Sequence, residues 1–142
     1  MLISVITPTL NSEKFLRECL DSVEKQTVKG ASFEQIVIDS NSSDNTRKIS
    51  EEYSHVRFVQ AGERTACEAV NLGIGLARGR YLLFLMSDDM VLPKIFQDFL
   101  CSLREKRING KPYIVYVISI HQRLLLKLFK LLFSYFGWNS RS

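Results

Sequence analysis

Residues 81–86 (YLLFLM) are apolar or aromatic without interruption and pass straight into Ser87-Asp88-Asp89. An apolar run of this length predicts a central strand buried on both faces, the habit of parallel sheets covered by helices. Upstream, residues 2–7 (LISVIT) read as a first strand closed by Pro8, which has no ladder donor. Asn11 or Ser12 can cap a helix starting near Glu13, whose Phe15, Leu16, Cys19, Leu20 and Val23 fall at three-to-four spacing. Residues 33–39 (FEQIVID) form a second strand that ends on a carboxylate, and 40–45 (SNSSDN) a polar loop. In that loop Asp44 or Asn45 can cap a short helix from Thr46 to about Tyr53. A short strand over 56–60 and a helix over 66–77, ending around Gly79, lead back to the apolar run. Beyond it, Pro93 opens a helix to about Lys106, and 113–120 (YIVYVISI) is a fifth strand. This alternation predicts an α/β fold: a Rossmann-like, mostly parallel sheet flanked by helices, with right-handed crossovers.

The chain has 142 residues, a size that suits one domain with a real core. Its 46% hydrophobic and 24% charged residues are ordinary globular values, which excludes disorder and low complexity for the chain as a whole. Cys19, Cys67 and Cys101 are too widely spaced for a disulfide framework or a metal knuckle. The formal net charge of +4 is not spread evenly. Residues 1–120 carry as many acidic as basic side chains, and the excess lies in Arg123, Lys127, Lys130 and Arg141. A neutral body argues against nucleic-acid binding, which needs a basic patch on the folded domain. The start of the chain reads as a strand rather than a secretory signal, so the expected compartment is the cytoplasm.

Three polar features follow predicted strand ends: Pro8-Thr9-Leu10-Asn11, the loop from Asp39 to Asp44, and Ser87-Asp88-Asp89. Open α/β sheets bind ligands beyond the carboxyl ends of their strands, so all three should line one crevice. Adjacent carboxylates at the mouth of a buried strand repel and lose hydration together. A divalent cation relieves both costs, and hard oxygen ligands suit Mg²⁺ or Mn²⁺. The same pair can equally be a turn or a helix cap. Asp39 can accept hydrogen bonds from a base or ribose, or cap its own turn. Gly73-Ile74-Gly75-Leu76-Ala77-Arg78-Gly79 only imitates a dinucleotide fingerprint, because it ends a helix before a strand instead of following one.

Four blocks, SVITPTLN (4–11), IVIDSNSSDNT (36–46), ERTACEAVNLG (63–73) and ARGRYLLFLMSDDMVLP (77–93), resemble the family 2 glycosyltransferases in order and spacing over roughly residues 1–115. The resemblance implies the GT-A fold of nucleotide-diphospho-sugar transferases and transfer, with inversion, from a donor such as a UDP-sugar to a saccharide or lipid-linked acceptor. It implies that Pro8 and Thr9 line the nucleoside pocket, Asp39 holds the base, Asp88 contacts the ribose, and Asp89 ligates Mn²⁺ or Mg²⁺ on the diphosphate. Glu68, Ala69 and Asn71 match an acidic-Ala-x-Asn helix facing the donor, with Arg64 in reach of a phosphate. Where the family often has Tyr, this chain has Leu10. Family members also take their catalytic carboxylate from beyond the acidic pair, whereas no Asp or Glu follows Glu105 in this sequence. His121 is then the candidate base, with a polar strand end as its other reading. The same feature leaves a second hypothesis: a shortened, non-catalytic remnant that binds nucleotide sugar or a partner subunit.

The sequence divides into a nucleotide-sugar-binding body, 1–120, and a basic amphipathic C-terminal helix or tail, 121–142. In 122–136 (QRLLLKLFKLLFSYF) Arg123, Lys127, Lys130 and Ser134 make one narrow polar stripe, Leu and Phe cover the rest, and Trp138 closes the segment. Its cations disfavour a span. A helix lying in the interface of a cytosolic membrane face fits better, and packing over the sheet is the alternative.

Overall fold

The computed structural model describes residues 2–27, 29–30, 32–98 and the backbone of 113–115. Strands β1 (Leu2–Thr9), β2 (Ser32–Asp39), β3 (Val56–Gln60), β4 (Tyr81–Phe84) and β5 (Tyr113–Val115) form one sheet in the order β3-β2-β1-β4-β5. Every pairing in it is parallel. Helices α1 (Glu13–Glu24), α2 (Thr46–Glu51) and α3 (Ala66–Leu76) provide the crossovers between the first four strands. The expected α/β architecture is therefore present. The later part of the helix expected from Pro93, residues 116–120 of the fifth strand, His121 and the amphipathic segment all lie outside the described residues.

Side chains alternate across the central strands as the period-two rule requires. From β4 and the residue after it, Tyr81, Leu83 and Leu85 join Ile3, Val5, Cys19 and Val23 on one face, while Leu82 joins Ile6, Ile36, Ile38 and Ala69 on the other. Val37, Leu16, Leu20, Ile49 and Tyr53 make a third cluster beneath α1 and α2. Thus α1 and α2 cover one face and α3 the other. The order explains this. The chain moves from β1 outward to β3, then returns past β1 to β4, and a crossover of constant hand must change face when its direction reverses. The reversal places a topological switch point between β1 and β4.

Pro8 does not end β1. It stays in the strand opposite Ile38, and β1 runs on to Thr9 opposite Asp39. The Leu85 amide donates to the Ile6 carbonyl and the Ser40 amide to the Thr9 carbonyl, so even positions of β1 face β4 and odd positions face β2. Pro8 thus turns its missing donor toward β4, past the last β1–β4 pair, Ile6 with Phe84. At this position a proline costs no ladder bond. Two other expected ends move inward: α2 stops at Glu51 and α3 at Leu76.

The glycines of the false fingerprint serve close packing. A methyl at Gly73 would collide with Ile6 Cγ2, so the glycine lets α3 lie directly on the sheet. At Gly79 a methyl would stand 2.6 Å from both the Ser4 amide nitrogen and its Oγ. The Gly79 amide donates to that same Oγ at 2.8 Å, which in turn donates to Glu34 at 2.6 Å. Backbone cannot yield as a side-chain tip can. Gly79→Ala is expected to destabilise the chain by about 1–3 kcal/mol. Chemical denaturation of the two proteins checks this, and an unchanged midpoint would show that the β1–β4 approach is looser than described.

Candidate functional site

Asp39 ends β2 as a carboxylate that is only 2% exposed. Burial of a charge is tolerable when hydrogen bonds replace the lost water. Three reach it: Thr9 Oγ1 at 3.1 Å, the Ser42 amide at 2.9 Å and Ser42 Oγ at 2.5 Å. The carboxylate is thus fixed at the strand end by the neighbouring strand and by its own loop. Its backbone carbonyl accepts the Ala61 amide at 2.9 Å, which ties the exit of β3 to the same spot. Pro8, Thr9 and Asp39 stand side by side at the carboxyl edge of the sheet.

The loop after β1 is sewn to the loop after β2. Asn11, at φ 48°, takes the Ser43 amide on Oδ1 at 2.9 Å and donates its own amide to Ser42 Oγ at 2.8 Å. Asp44 accepts the Glu13 amide at 3.0 Å and the Thr46 amide at 2.9 Å, so one carboxylate serves the first turns of both α1 and α2. Desolvation opposes its ionisation, but the hydrogen bonds from Thr46 and Glu13 outweigh that and hold Asp44 below the ordinary carboxylate range. Either Asp44 or Asn45 was a candidate cap for α2, and the capping carboxylate is Asp44. Asn45 occupies the cap position without a side-chain capping bond. Ser12 likewise occupies the α1 cap position without capping it. Its Oγ meets Ser87 Oγ at 2.8 Å instead, and this contact joins the β1 loop to the acidic segment after β4.

That acidic segment is a turn closed by the Asp89 amide donating to the Met86 carbonyl at 3.1 Å. Asp88 is exposed and Asp89 is 9% exposed. Among the described residues no side-chain hydrogen bond or ion pair engages either carboxylate. The Cys19 thiol lies beneath, 3.6 Å from the Met86 carbonyl oxygen. Burial above all pushes this thiol up to about 12, and the charges of Asp89 and Asp88 add to the effect. The turn reading of the pair is thus met by the backbone, and it leaves both carboxylates without a side-chain partner among the described residues.

The start of α3 stands at the same edge, after β3. Thr65 and Glu68 form a reciprocal capping box: the Glu68 amide donates to Thr65 Oγ1 at 3.3 Å, and the Thr65 amide donates to Glu68 Oε2 at 2.8 Å. The Thr65 amide and hydroxyl hold Glu68 below its ordinary range. Arg64 donates from Nε to the Ala61 carbonyl at 2.9 Å, which leaves the guanidinium exposed beside the Asp39 loop. Asn71 is exposed one turn further along, while Ala69 is fully buried against the sheet.

Of the residues singled out in the sequence, Pro8, Thr9 and Asp39 lie together at the sheet's carboxyl edge and Asp88 and Asp89 in the turn after β4, while the hydroxyl pair Ser12–Ser87 and the second role of Asp44 were not foreseen. The only signal for them was a serine in each of two strand-end loops, which is too common to single out. Among the described residues no three His, Cys, Asp or Glu side chains group to hold a metal. The donor set present is a pair of adjacent carboxylates, one nearly buried. Adjacent carboxylates repel, and a divalent cation held between them would relieve that repulsion. Two protein oxygens with open positions fit a hard cation completed by phosphate and water rather than a closed protein cage.

The family model described as "Glycosyl transferase family 2" matches residues 4–124. The glycosyltransferase GlyG of Streptococcus pneumoniae is 34% identical over 110 residues, covering 74% of this chain and 36% of that protein. Among solved structures, Staphylococcus aureus TarS in complex with UDP superposes with a TM-score of 0.70 at 30% identity, over 80% of this chain and 38% of that one. Glucosyl-3-phosphoglycerate synthase of Mycobacterium tuberculosis with Mn²⁺, UDP and glucosyl-3-phosphoglycerate gives a TM-score of 0.55 at 28% identity, over 66% and 36% of the two chains. The chain spans about a third of the length of such relatives.

Because Asp44 serves two helix starts, Asp44→Ala is expected to cost about 1–2 kcal/mol at neutral pH. Its carboxyl is held down in the folded state, so its contribution is present above the unfolded value of about 3.9 and lost as pH falls through the lower folded value. Denaturation of wild type and variant from pH 7 downward should show the two converging in acid. A gap that persists at the acid end would assign the loss to something other than the ionised carboxylate.

Proposed function

This chain belongs to glycosyl transferase family 2, and from that premise we propose that its carboxyl-edge crevice binds a nucleotide-diphospho-sugar, with UDP as the nucleotide, for transfer to a saccharide or lipid-linked acceptor. The observation that carries the reading is the meeting of three strand-end features at one switch point, joined through Thr9–Asp39 and Ser12–Ser87. Relatives with UDP or UDP-GlcNAc in their structures support the choice of donor.

In this reading Asp39 holds the base with the lone pair that Thr9 and Ser42 leave free, while Pro8 and Thr9 wall the nucleoside. Asp88, exposed at the lip, meets the ribose. Asp89, with Asp88 beside it, holds Mn²⁺ or Mg²⁺, a choice supported by neighbours solved with Mn²⁺ and a nucleotide. When bound, that cation supplies Lewis acidity against the charge of the departing diphosphate. Arg64 and the first turn of α3, with Glu68 and Asn71, orient the phosphate and sugar side. A single displacement at the anomeric carbon inverts it, with a base taking the acceptor proton. The basic, Leu- and Phe-rich residues 122–138 would hold this site against the anionic cytosolic face of a membrane.

Isothermal titration with UDP is expected to give binding that requires Mn²⁺ in the wild-type chain and weakens at least about tenfold in Asp89→Ala, one charge-assisted contact being worth about that. Equal binding with and without metal would strip Asp89 of its role as metal ligand. For the membrane, vesicles containing phosphatidylserine should float the full chain and not one ending at residue 120. Equal flotation of the two would dismiss that placement.

A further inference from the structure

One side of α1 carries polar groups that donor binding does not use. Ser12, Cys19, Ser22 and Gln26 follow at steps of seven, three and four, a single stripe along the helix and its two ends. Each bonds the segment after β4. Ser12 Oγ meets Ser87 Oγ at 2.8 Å, and Cys19 Sγ points to the Met86 carbonyl at 3.6 Å. Ser22 Oγ accepts the Val91 amide at 3.1 Å while donating to the Cys19 carbonyl at 2.7 Å, which fixes the direction of its hydroxyl. Gln26 donates from Nε2 to the Leu92 carbonyl at 2.9 Å and takes the Phe96 amide on Oε1 at 3.4 Å. Donor and acceptor partners together set the orientation of its amide.

Within 86–92 the Asp89–Met86 turn bond is the internal hydrogen bond among the described residues. Asp88 and Asp89 have no side-chain partner there, so their placement is inherited from the flanks, Ser87 on one side and Val91 and Leu92 on the other. Those flanks hang on α1. Gln26 is 5% exposed, and its loss leaves the buried Phe96 amide and the Leu92 carbonyl without the partners it gives them.

We propose that Ser22 and Gln26 are positioning residues: α1 acts as the template that holds the Asp88–Asp89 turn where a cation and a diphosphate can be gripped. This rests on the donor-binding reading above. The turn lies outside regular structure, and a displacement of about an ångström at such a site is enough to lose function. Gln26→Glu is the most informative variant, because it keeps the shape and the bond from Phe96 but sets a carboxylate oxygen against the Leu92 carbonyl.

The test titrates the full chain with UDP in the presence of Mn²⁺, well below its melting temperature. Ser22→Ala and Gln26→Glu should each weaken binding by about tenfold, and Ser22→Thr, which keeps the hydroxyl, should restore it to within about twofold. Ile49→Val, which thins the core under α2 and touches none of these groups, should lower the melting temperature and leave affinity unchanged. Wild-type affinity in Ser22→Ala and Gln26→Glu, or a loss matched by Ile49→Val, would overturn the proposal. If the wild-type chain takes up no UDP with Mn²⁺, the donor-binding reading falls, and amide exchange decides the template separately. Faster exchange at Asp89 and Val91 in Ser22→Ala, with the β1–β2 ladder unchanged, upholds it. Unchanged exchange at those amides overturns it.

Discussion

The two edges of β1 are unequal, and the site follows from that inequality. Toward β2 the ladder runs to Thr9 opposite Asp39, whereas toward β4 the paired register stops at Ile6 opposite Phe84. Past that point the seam between β1 and β4 has no ladder to close it, and the proline at position 8 ensures that β1 offers none. The chain leaving β4 turns away there, at the Asp89–Met86 bond. Pro8, Thr9 and Asp39 stand along this edge, and the turn at 87–89 is tied to it through Ser12.

Holding the rim requires polar groups to be satisfied by one another. Loops after β1, β2 and β4 each lack internal regularity, yet they exchange hydrogen bonds through Asn11–Ser43, Ser12–Thr46 and Ser12–Ser87. Deeper in the sheet, Gln35 is fully buried but donates to Thr7 Oγ1 at 2.9 Å and meets His55 Nε2 at 3.3 Å. The core is thus apolar where the helices pack, with a hydrogen-bonded polar group buried within the sheet. Such networks are strong when complete and costly when one member is lost, which favours a single arrangement of the loops.

Much of this was legible in the amino-acid order. The unbroken apolar run ending at Met86, the alternation of strands with amphipathic helices and the polar segments at strand ends state the architecture, because each reflects a local period or a solvation cost. Asp39 and Asp89 were legible because a carboxylate at the end of an apolar strand demands a reason. Pro8 misled, since its effect depends on which neighbour its missing donor would have faced, and that is a property of the sheet and not of the segment. The partners of Ser12, Ser22 and Gln26 were illegible for the same cause: they lie far along the chain, and serine and glutamine carry no periodic signal. The glycines at 73 and 79 only imitated a dinucleotide fingerprint, and the packing shows what they do instead: they make room for Ile6 and Ser4.

The placement of β1 also governs how the chain is made. It precedes the other described strands in the chain yet stands in the middle of their sheet, and its partner on one side, Tyr81–Phe84, is translated long after Ile3. Until then an apolar strand waits with one flank bare, a template for pairing with another nascent copy. Pairing of such separated segments is slow and exposed to aggregation, so assembly of this sheet should draw on chaperones.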